Sequence, residues 1–301
     1  MLLLFVYLYF GAVLVLCLYG AHRSTMVFQL ARTPFKSPPL PDVCEELPRV
    51  CIQVPLYNEA QVARRVIESV CRIEYPTDLL EIQILDDSTD QTREIVDDTV
   101  LRLQSQGVPV RVIRRSRRTE YKAGALKYGI GLSQAEFFAV FDADFLPPED
   151  FLARTVPYFE EERVAFVQAR WGHLNREASF LTRAQAVLID GHFLIEHAAR
   201  AQHGFFNFNG TAGIWRRTAI EDAGGWQGDT VTEDLDLSYR AFLAGWQAVY
   251  VPELVCMSEL PGNIAAFKSQ QYRWMKGAAQ VARKLLPAIL CAPWTWRQKA
   301  E

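Results

Sequence analysis

The sequence predicts an α/β fold, a mostly parallel sheet with helices on both faces, carried behind an apolar N-terminal helix. Three observations predict it. Short apolar runs alternate with helix-period segments from Arg49 to Gln168. Polar clusters stand where those runs end, the place where open α/β sheets bind ligands. The run Leu2 to Tyr19 carries no charge and, with Gly20 and Ala21, reaches the roughly 20 residues that span a bilayer.

No basic residue precedes that first run and no small-residue cleavage site follows it, so residues 1–21 read as a retained transmembrane helix rather than a signal peptide. His22, Arg23, Arg32 and Lys36 come before the first acid, Asp42. Positive charge on that flank places the rest of the chain in the cytoplasm, on an inner, plasma or equivalent membrane. Pro34, Pro38, Pro39, Pro41 and Pro48 make residues 22–48 a stiff cytoplasmic linker. Arg49–Val54 is then a buried strand ending at Pro55. Glu59–Ile73 is a helix, with Val62, Val66, Val70 and Ile73 on one face. Glu81–Leu85, Val108–Ile113, Phe137–Phe141 and Val164–Gln168 read as strands. Gln91–Leu103, Lys122–Leu132 and Pro148–Glu161 read as helices.

Composition narrows the function. The 301 residues are 50% hydrophobic and 22% charged with net charge −3, which fits a globular protein of about two domains and argues against nucleic acid as a partner. Cys17, Cys44, Cys51, Cys71, Cys256 and Cys291 form no CxxC pair and read as reduced thiols. No GxGxxG follows the first strand, and no GxSxG or HExxH occurs. Gly124 to Gly129 has P-loop spacing, but Ile130 stands where the lysine belongs. His22, His173, His192, His197 and His203 show no ligand spacing for a metal.

The carboxylates carry the chemistry. Asp142-Ala143-Asp144 directly follows an apolar strand, so two acids converge and repel. Hard oxygen donors suit Mg²⁺ or Mn²⁺, and Mg²⁺ commonly completes its shell with substrate phosphates. A diphosphate-bearing substrate is therefore expected. Asp86-Asp87 ends the second strand and can accept an N–H from a nucleobase edge; an Asx-turn or helix cap explains it equally well. Thr232-Glu233-Asp234 either starts a helix or supplies a base that takes a proton from a hydroxyl. Gln270, Arg273 and Trp274 share one helix face, either to bury Trp274 or to offer arginine to phosphate and indole to a sugar ring. Arg111, Arg114, Arg115, Arg117, Arg118 and Lys122 form a basic stretch. Lys122 at a helix N-terminus is a reasonable anion site.

Taken in order, Pro55-x-Tyr57-Asn58-Glu59, Asp86-Asp87-Ser88, Tyr121-Lys122-Ala-Gly124-Ala-Leu126, Asp142-x-Asp144, Thr232-Glu233-Asp234 and Gln270-x-x-Arg273-Trp274 resemble the processive, membrane-embedded family 2 glycosyltransferases. Gln168-Ala-Arg170-Trp171, the run Phe206 to Arg216 and Ala223-Gly-Gly-Trp226 are most similar to the cellulose-synthase-like A group, the glucomannan 4-β-mannosyltransferases. The resemblance covers Arg49 to Gly277. It implies a GT-A fold, a Rossmann-like mixed sheet, over residues 49–225, and an acceptor-side segment over 226–275. It implies an inverting transfer from a nucleotide sugar, GDP-mannose or UDP-glucose. Asp87 with Asp86 beside it would contact the base, and Pro55, Tyr57 and Glu59 would line the nucleotide pocket with Lys122. Asp142 and Asp144 would hold the metal and diphosphate. Asp234, next to Glu233, would be the general base. Gln270, Arg273 and Trp274 would hold diphosphate and acceptor, with Asn209, Gly210 and Thr211 near the acceptor end. A β-linked polysaccharide is the expected acceptor; a lipid acceptor, or a silent nucleotide-binding scaffold, are the alternatives.

Two departures stand out. Relatives usually place glycine where this chain has Glu120. Polymer-making relatives also continue into further membrane helices, so the resemblance implies that the chain is truncated at Glu301, or works with partner subunits, or makes a shorter product that does not cross the bilayer. Residues 276–301 read as an amphipathic helix on the membrane surface, with Val281, Leu285 and Leu286 apolar and Lys276, Arg283 and Lys284 basic.

Overall fold

The computed structural model describes residues 2–41 and 46–300. Asp42 and Cys44, used above, lie outside the described residues. Cys17, Cys51, Cys71, Cys256 and Cys291 are all free thiols.

The chain opens with helix α1 (Leu2–Arg32). Strand β1 (Val50–Leu56), helix α2 (Ala63–Val70), β2 (Leu80–Asp86), α3 (Thr92–Gln104), β3 (Val110–Ile113), α4 (Tyr121–Gly131) and β4 (Phe137–Val140) follow. The short β5 (Phe145–Leu146), β6 (Val164–His173), α5 (Phe180–Gly191), a π-helical turn (His192–His197) and α6 (Ala198–Ala201) come next. Then come β7 (Gly213–Arg216), α7 (Arg217–Asp222), α8 (Glu233–Leu243), β8 (Gln247–Ser258), α9 (Ile264–Cys291) and α10 (Trp296–Ala300).

The strands form one mixed sheet in the order β3-β2-β1-β4-β7-β6-β8-β5. Strands β1 to β4 are mutually parallel, as the βα alternation requires. The expected parallel sheet stops there. Strand β7 runs antiparallel to both β4 and β6, β8 is parallel to β6, and β5 is antiparallel to β8. The turn Gly210–Ala212, with both Gly210 and Ala212 at positive φ, leads into this reversal.

The pleat sorts side chains by parity. Val50, Ile52 and Val54 of β1 face a core shared with Ile82, Ile84, Val66 and Val96. Cys51 faces the opposite core, with Leu85, Phe138, Leu126, Phe166 and Trp215. Gln53 follows that parity and is fully buried; its amide donates to Gln83 Oε1 at 2.9 Å, and Gln83 donates to the Gly129 carbonyl at 3.0 Å. A Cβ on Gly129 would meet both glutamine side chains at 2.4 Å, so glycine there lets α4 lie close on the sheet.

Several boundaries differ from the sequence reading. The N-terminal helix does not stop near residue 21 but runs to Arg32, so about two fifths of the expected linker is helical. Nothing between Ala21 and Ala31 breaks a helix, and Pro34 sets the stop. The foot of α1 docks on the domain: Met26 is buried, and Leu30 packs against the Trp215 core. The proline segment is also pinned, with Phe35 stacked on Tyr250 at 5.7 Å and the Pro38 carbonyl accepting from the Tyr158 hydroxyl at 2.9 Å. Strand β1 continues through Pro55, because β4 pairs only as far as Gln53 and leaves that side open. The segment 148–161 is not an α-helix; it makes turns and then a 3-10 helix, Val156–Glu160. Pro157 lacks an N–H and its ring obstructs the preceding turn. Helix α9 is continuous from Ile264 to Cys291, with no break at Trp274. Its Val281 and Leu285 are buried against the protein, while Leu286 and Leu290 face outward.

Candidate active site

One cleft of about 1090 Å³ opens across the carboxyl ends of β1, β2 and β4 and is closed by the starts of α4 and α8 and by α9. It brings together residues from each of the six ordered motifs. Pro55, Tyr57, Glu59, Asp87, Lys122, Asp142, Asp144, Asn209, Gly210, Glu233, Asp234, Gln270, Arg273 and Trp274 all line it. Asp86 and Thr211 do not.

At the β1 and β2 ends, Asn58 turns left-handed with φ 57°. Its N–H donates to Ser88 Oγ at 2.9 Å, and its carboxamide oxygen accepts from the Thr89 N–H at 2.9 Å. This clip fixes Tyr57 and Glu59 on either side of the turn. Asp86 is turned inward instead. It accepts from the Ser88 N–H at 3.0 Å and from Arg114 Nε at 2.8 Å, so it works as an Asx-turn and ion-pair residue, not as a cleft ligand. Asp87 does reach the cleft, but Arg115 clasps its carboxylate from Nε at 3.1 Å and from Nη2.

The acids deeper in the cleft are poorly compensated. Lys122 Nζ lies 2.5 Å from Asp142 Oδ1, 2.9 Å from the Gly210 carbonyl and 3.9 Å from Glu233 Oε1. Burial alone would lower the Lys122 pKa, but the charges of Asp142, Glu233 and Asp234 raise it, so it stays charged. Burial, with Asp142 alongside, pushes Asp144 up to about 7. Burial also pushes Glu233 up to about 7 and Asp234 up to about 6, against the pull of Lys122, with the charge of Asp142 adding at both and that of Asp234 adding at Glu233. Glu59 is raised by burial and by Asp142 and Asp90. Buried carboxylates at this density call for further positive charge.

The backbone holds these acids in place. The Asp142 N–H donates to Thr211 Oγ1 at 2.9 Å, so Thr211 positions the β4 end from beneath. Gly210 has φ +80°, and a Cβ there would lie 3.1 Å from Asp234 Oδ2. Glycine thus serves both the left-handed turn and the space for that carboxylate. Glu120 and Tyr121 enter α4 at φ 55° and 46°. Glycine, which the resemblance implies at the Glu120 position, would enter that left-handed backbone without strain.

Helix α9 carries the opposite wall. Arg273 and Trp274 face the cleft one turn before Gly277. A Cβ on Gly277 would meet the Thr232 side chain at 2.3 Å, so glycine lets α9 close on the Thr232-Glu233-Asp234 segment. Lys284 fastens the contact from farther along, 2.9 Å from both Asp229 and the buried Asp236.

Two cleft residues were not singled out from sequence. Arg118 lies 3.3 Å over the Tyr57 ring centroid. It belonged to a basic stretch with nothing to distinguish it from its neighbours. Trp171 lies 6.4 Å from Trp274, ring centre to ring centre, and extends the aromatic wall. Its signal was the run Gln168-Ala-Arg170-Trp171, read only as a mark of resemblance.

A cleft built from these motifs, in this order and on this sheet, matches one family. Residues 48–277 match the model of glycosyltransferase-like family 2. The chain belongs to that family. Among its curated relatives, "Probable glucomannan 4-beta-mannosyltransferase 7" of Oryza sativa subsp. japonica is 45% identical over 253 residues, covering 82% of this chain and 43% of the relative. Glucomannan 4-beta-mannosyltransferase 2 of Arabidopsis thaliana is 44% identical over 249 residues, covering 81% and 47%. The chain spans less than half the length of these curated relatives. Among solved structures, the mannosyltransferase PcManGT from Pyrobaculum calidifontis, in complex with GDP-Man and Mn²⁺, superposes with TM-score 0.71 at 22% identity, over 90% of this chain and 74% of that one. TarS 1-349 of S. aureus, in complex with UDP-GlcNAc, superposes with TM-score 0.58 at 14% identity, over 83% and 69%. The fold is therefore GT-A, as the motifs imply.

Proposed function

We propose that this family 2 chain transfers mannose from GDP-mannose to a hydroxyl of a β-linked glycan, by direct displacement with inversion. The observation that carries the reading is the convergence of Asp142, Asp144 and Asp234 with Arg273 and Trp274 in one cleft. The mannosyltransferase relatives and the GDP-Man-bound neighbour support the choice of donor.

Asp234 accepts the proton of the attacking acceptor hydroxyl; a single base serves a displacement that needs no enzyme nucleophile. Trp274 and Trp171 offer flat apolar faces to acceptor sugar rings. Arg273 supplies positive charge for the departing diphosphate. Asp87 and Tyr57 bound the nucleoside end. Asp142 and Asp144 fit a divalent ion: both are hard oxygen donors, and Asp144 is buried with its carboxyl raised to about 7. Among the described residues no three His, Cys, Asp or Glu side chains form a closed metal cage. Such an ion, Mg²⁺ or Mn²⁺, would neutralise the diphosphate as it leaves.

Helix α1 is long and apolar enough to cross a membrane and is exposed over its apolar length. We assign it as the anchor, with the catalytic domain on the cytoplasmic side and the outward Leu286 and Leu290 of α9 toward the membrane surface. The test uses membranes carrying this chain, radiolabelled GDP-mannose or UDP-glucose, β-linked oligomannan or lipid extract as acceptor, and a chelator. Mannose entering alkali-insoluble glycan, abolished by chelation and restored by Mg²⁺ or Mn²⁺, is expected. Label recovered only in lipid would move the assignment to glycolipid synthesis. No incorporation from either donor would overturn the catalytic reading.

A further inference from the structure

Arg23 stands near the foot of α1, past its apolar run, and pairs with Glu196 in the π-helical turn. Glu196 Oε2 lies 3.6 Å from His192 Nδ1. Burial raises the Glu196 carboxyl, but the His192 hydrogen bond and the charges of His192, Arg23 and Arg200 outweigh it and hold it below its ordinary value. The other His192 nitrogen, Nε2, lies 3.0 Å from Asn209 Oδ1. A carboxamide oxygen only accepts, so that nitrogen carries the hydrogen. Asn209 Nδ2 lies 2.8 Å from His197 Nε2, and the Asn209 N–H donates to Gln168 Oε1 at 3.0 Å. His197 Nε2 also faces the Asn207 carbonyl at 3.0 Å, so the hold on Asn209 comes from His192 and Gln168. The next residue is Gly210, whose carbonyl holds Lys122 and whose Cα faces Asp234. A π-helical turn is a rare geometry and frequently marks a functional site.

We propose that His192 is a positioning residue for the segment Asn207–Thr211, and that Arg23 and Glu196 make the membrane anchor part of the same support. That this segment forms the acceptor end of the cleft rests on the reading above; the support itself does not. His192 holds the Asn209 carboxamide, Asn209 fixes Gly210, and Gly210 sets the space in which Asp234 meets an acceptor hydroxyl. The anchor helix then contributes to the shape of the cleft as well as to its location.

The test compares His192→Leu, His192→Gln and Arg23→Gln in the full chain in detergent. Hydrogen exchange is read at the Phe208 and Asn209 amides, with acceptor KM, donor KM and kcat alongside. Glutamine can place an amide N–H near the imidazole Nε2 position; leucine cannot. His192→Leu is expected to speed exchange at these amides about tenfold and to raise acceptor KM more than donor KM. His192→Gln should return both to within about twofold of the parent, and Arg23→Gln should show a smaller rise at the same amides. Unchanged exchange in His192→Leu, or equal effects of leucine and glutamine, overturns the proposal. Should His192→Leu not fold, Arg23→Gln alone decides by whether those amides loosen. A parent chain that transfers no sugar would end the glycosyltransferase reading, while the exchange measurement would still decide this one.

Discussion

The aspartates at the end of β2 and those at the end of β4 make an instructive pair. Both pairs follow buried strands and both stand at the carboxyl-end edge of the sheet. Asp86 and Asp87 each have an arginine, Arg114 and Arg115, so their charges are compensated within the fold. Asp142, Asp144, Glu233 and Asp234 crowd around Lys122, and three of them are pushed upward by burial. Position at a strand end therefore does not identify a working carboxylate. What separates the two sites is whether the protein spends its own cations on the acids or leaves them for a substrate or ion.

The largest effect that would break this comparison is on chemistry. Asp234→Asn should lower kcat about a thousandfold with the fold intact, measured as mannose incorporation together with a melting curve. A variant that still turns over normally removes Asp234 as the base. Next is pH. With Asp234 at about 6, kcat/KM should drop below that pH, about tenfold per unit, as the base takes up a proton. The residual activity of Asp234→Asn should lack that limb.

Stability should then respond with opposite sign at the two doublets. Arg115→Met leaves Asp87 buried without its partner and should cost about 3 kcal/mol in chemical denaturation. Asp144→Asn should raise the melting temperature of the metal-free protein at pH 8. The Asp144 carboxyl sits at about 7 in the fold, above its unfolded value near 4, so the fold loses stability as pH rises between the two. The gain from Asn should therefore be full above pH 7 and gone below pH 4. A loss of stability in Asp144→Asn would show that the acid is internally compensated after all. The smallest effect is steric. Gly277→Ala should force α9 away from Thr232, cost about 1–2 kcal/mol, and raise acceptor KM a few-fold while leaving donor KM alone.

Much of the fold was legible because its strands are buried on both faces and bounded by Pro, Asp and Asn. Val50, Ile52 and Val54 announced β1 without help from neighbours. The reversal at β7 was not legible, since four residues, Gly213–Arg216, carry no periodicity that separates parallel from antiparallel pairing. The 3-10 turn at 156–160 was missed although Pro157 pointed to it, because the apolar spacing around it mimics a helix. At the site, motif order brought out Asp142, Asp144, Asp234 and Trp274. The compensation of Asp86 and Asp87 lay in arginines nearly thirty residues away, and Arg118 was hidden among similar side chains. Side-chain pairing at that range is a product of the folded chain.

Helix α1 has a mechanical consequence. Its 31 residues make a rod of about 46 Å, some 16 Å longer than the hydrocarbon layer of a bilayer. The surplus does not dangle: Arg23, Met26 and Leu30 seat it on the catalytic domain. With α1 as the proposed anchor, it would act as a strut rather than a tether, and the domain would keep one height and one orientation above the lipid. Under the proposed function, a product would then always leave the cleft along the same line.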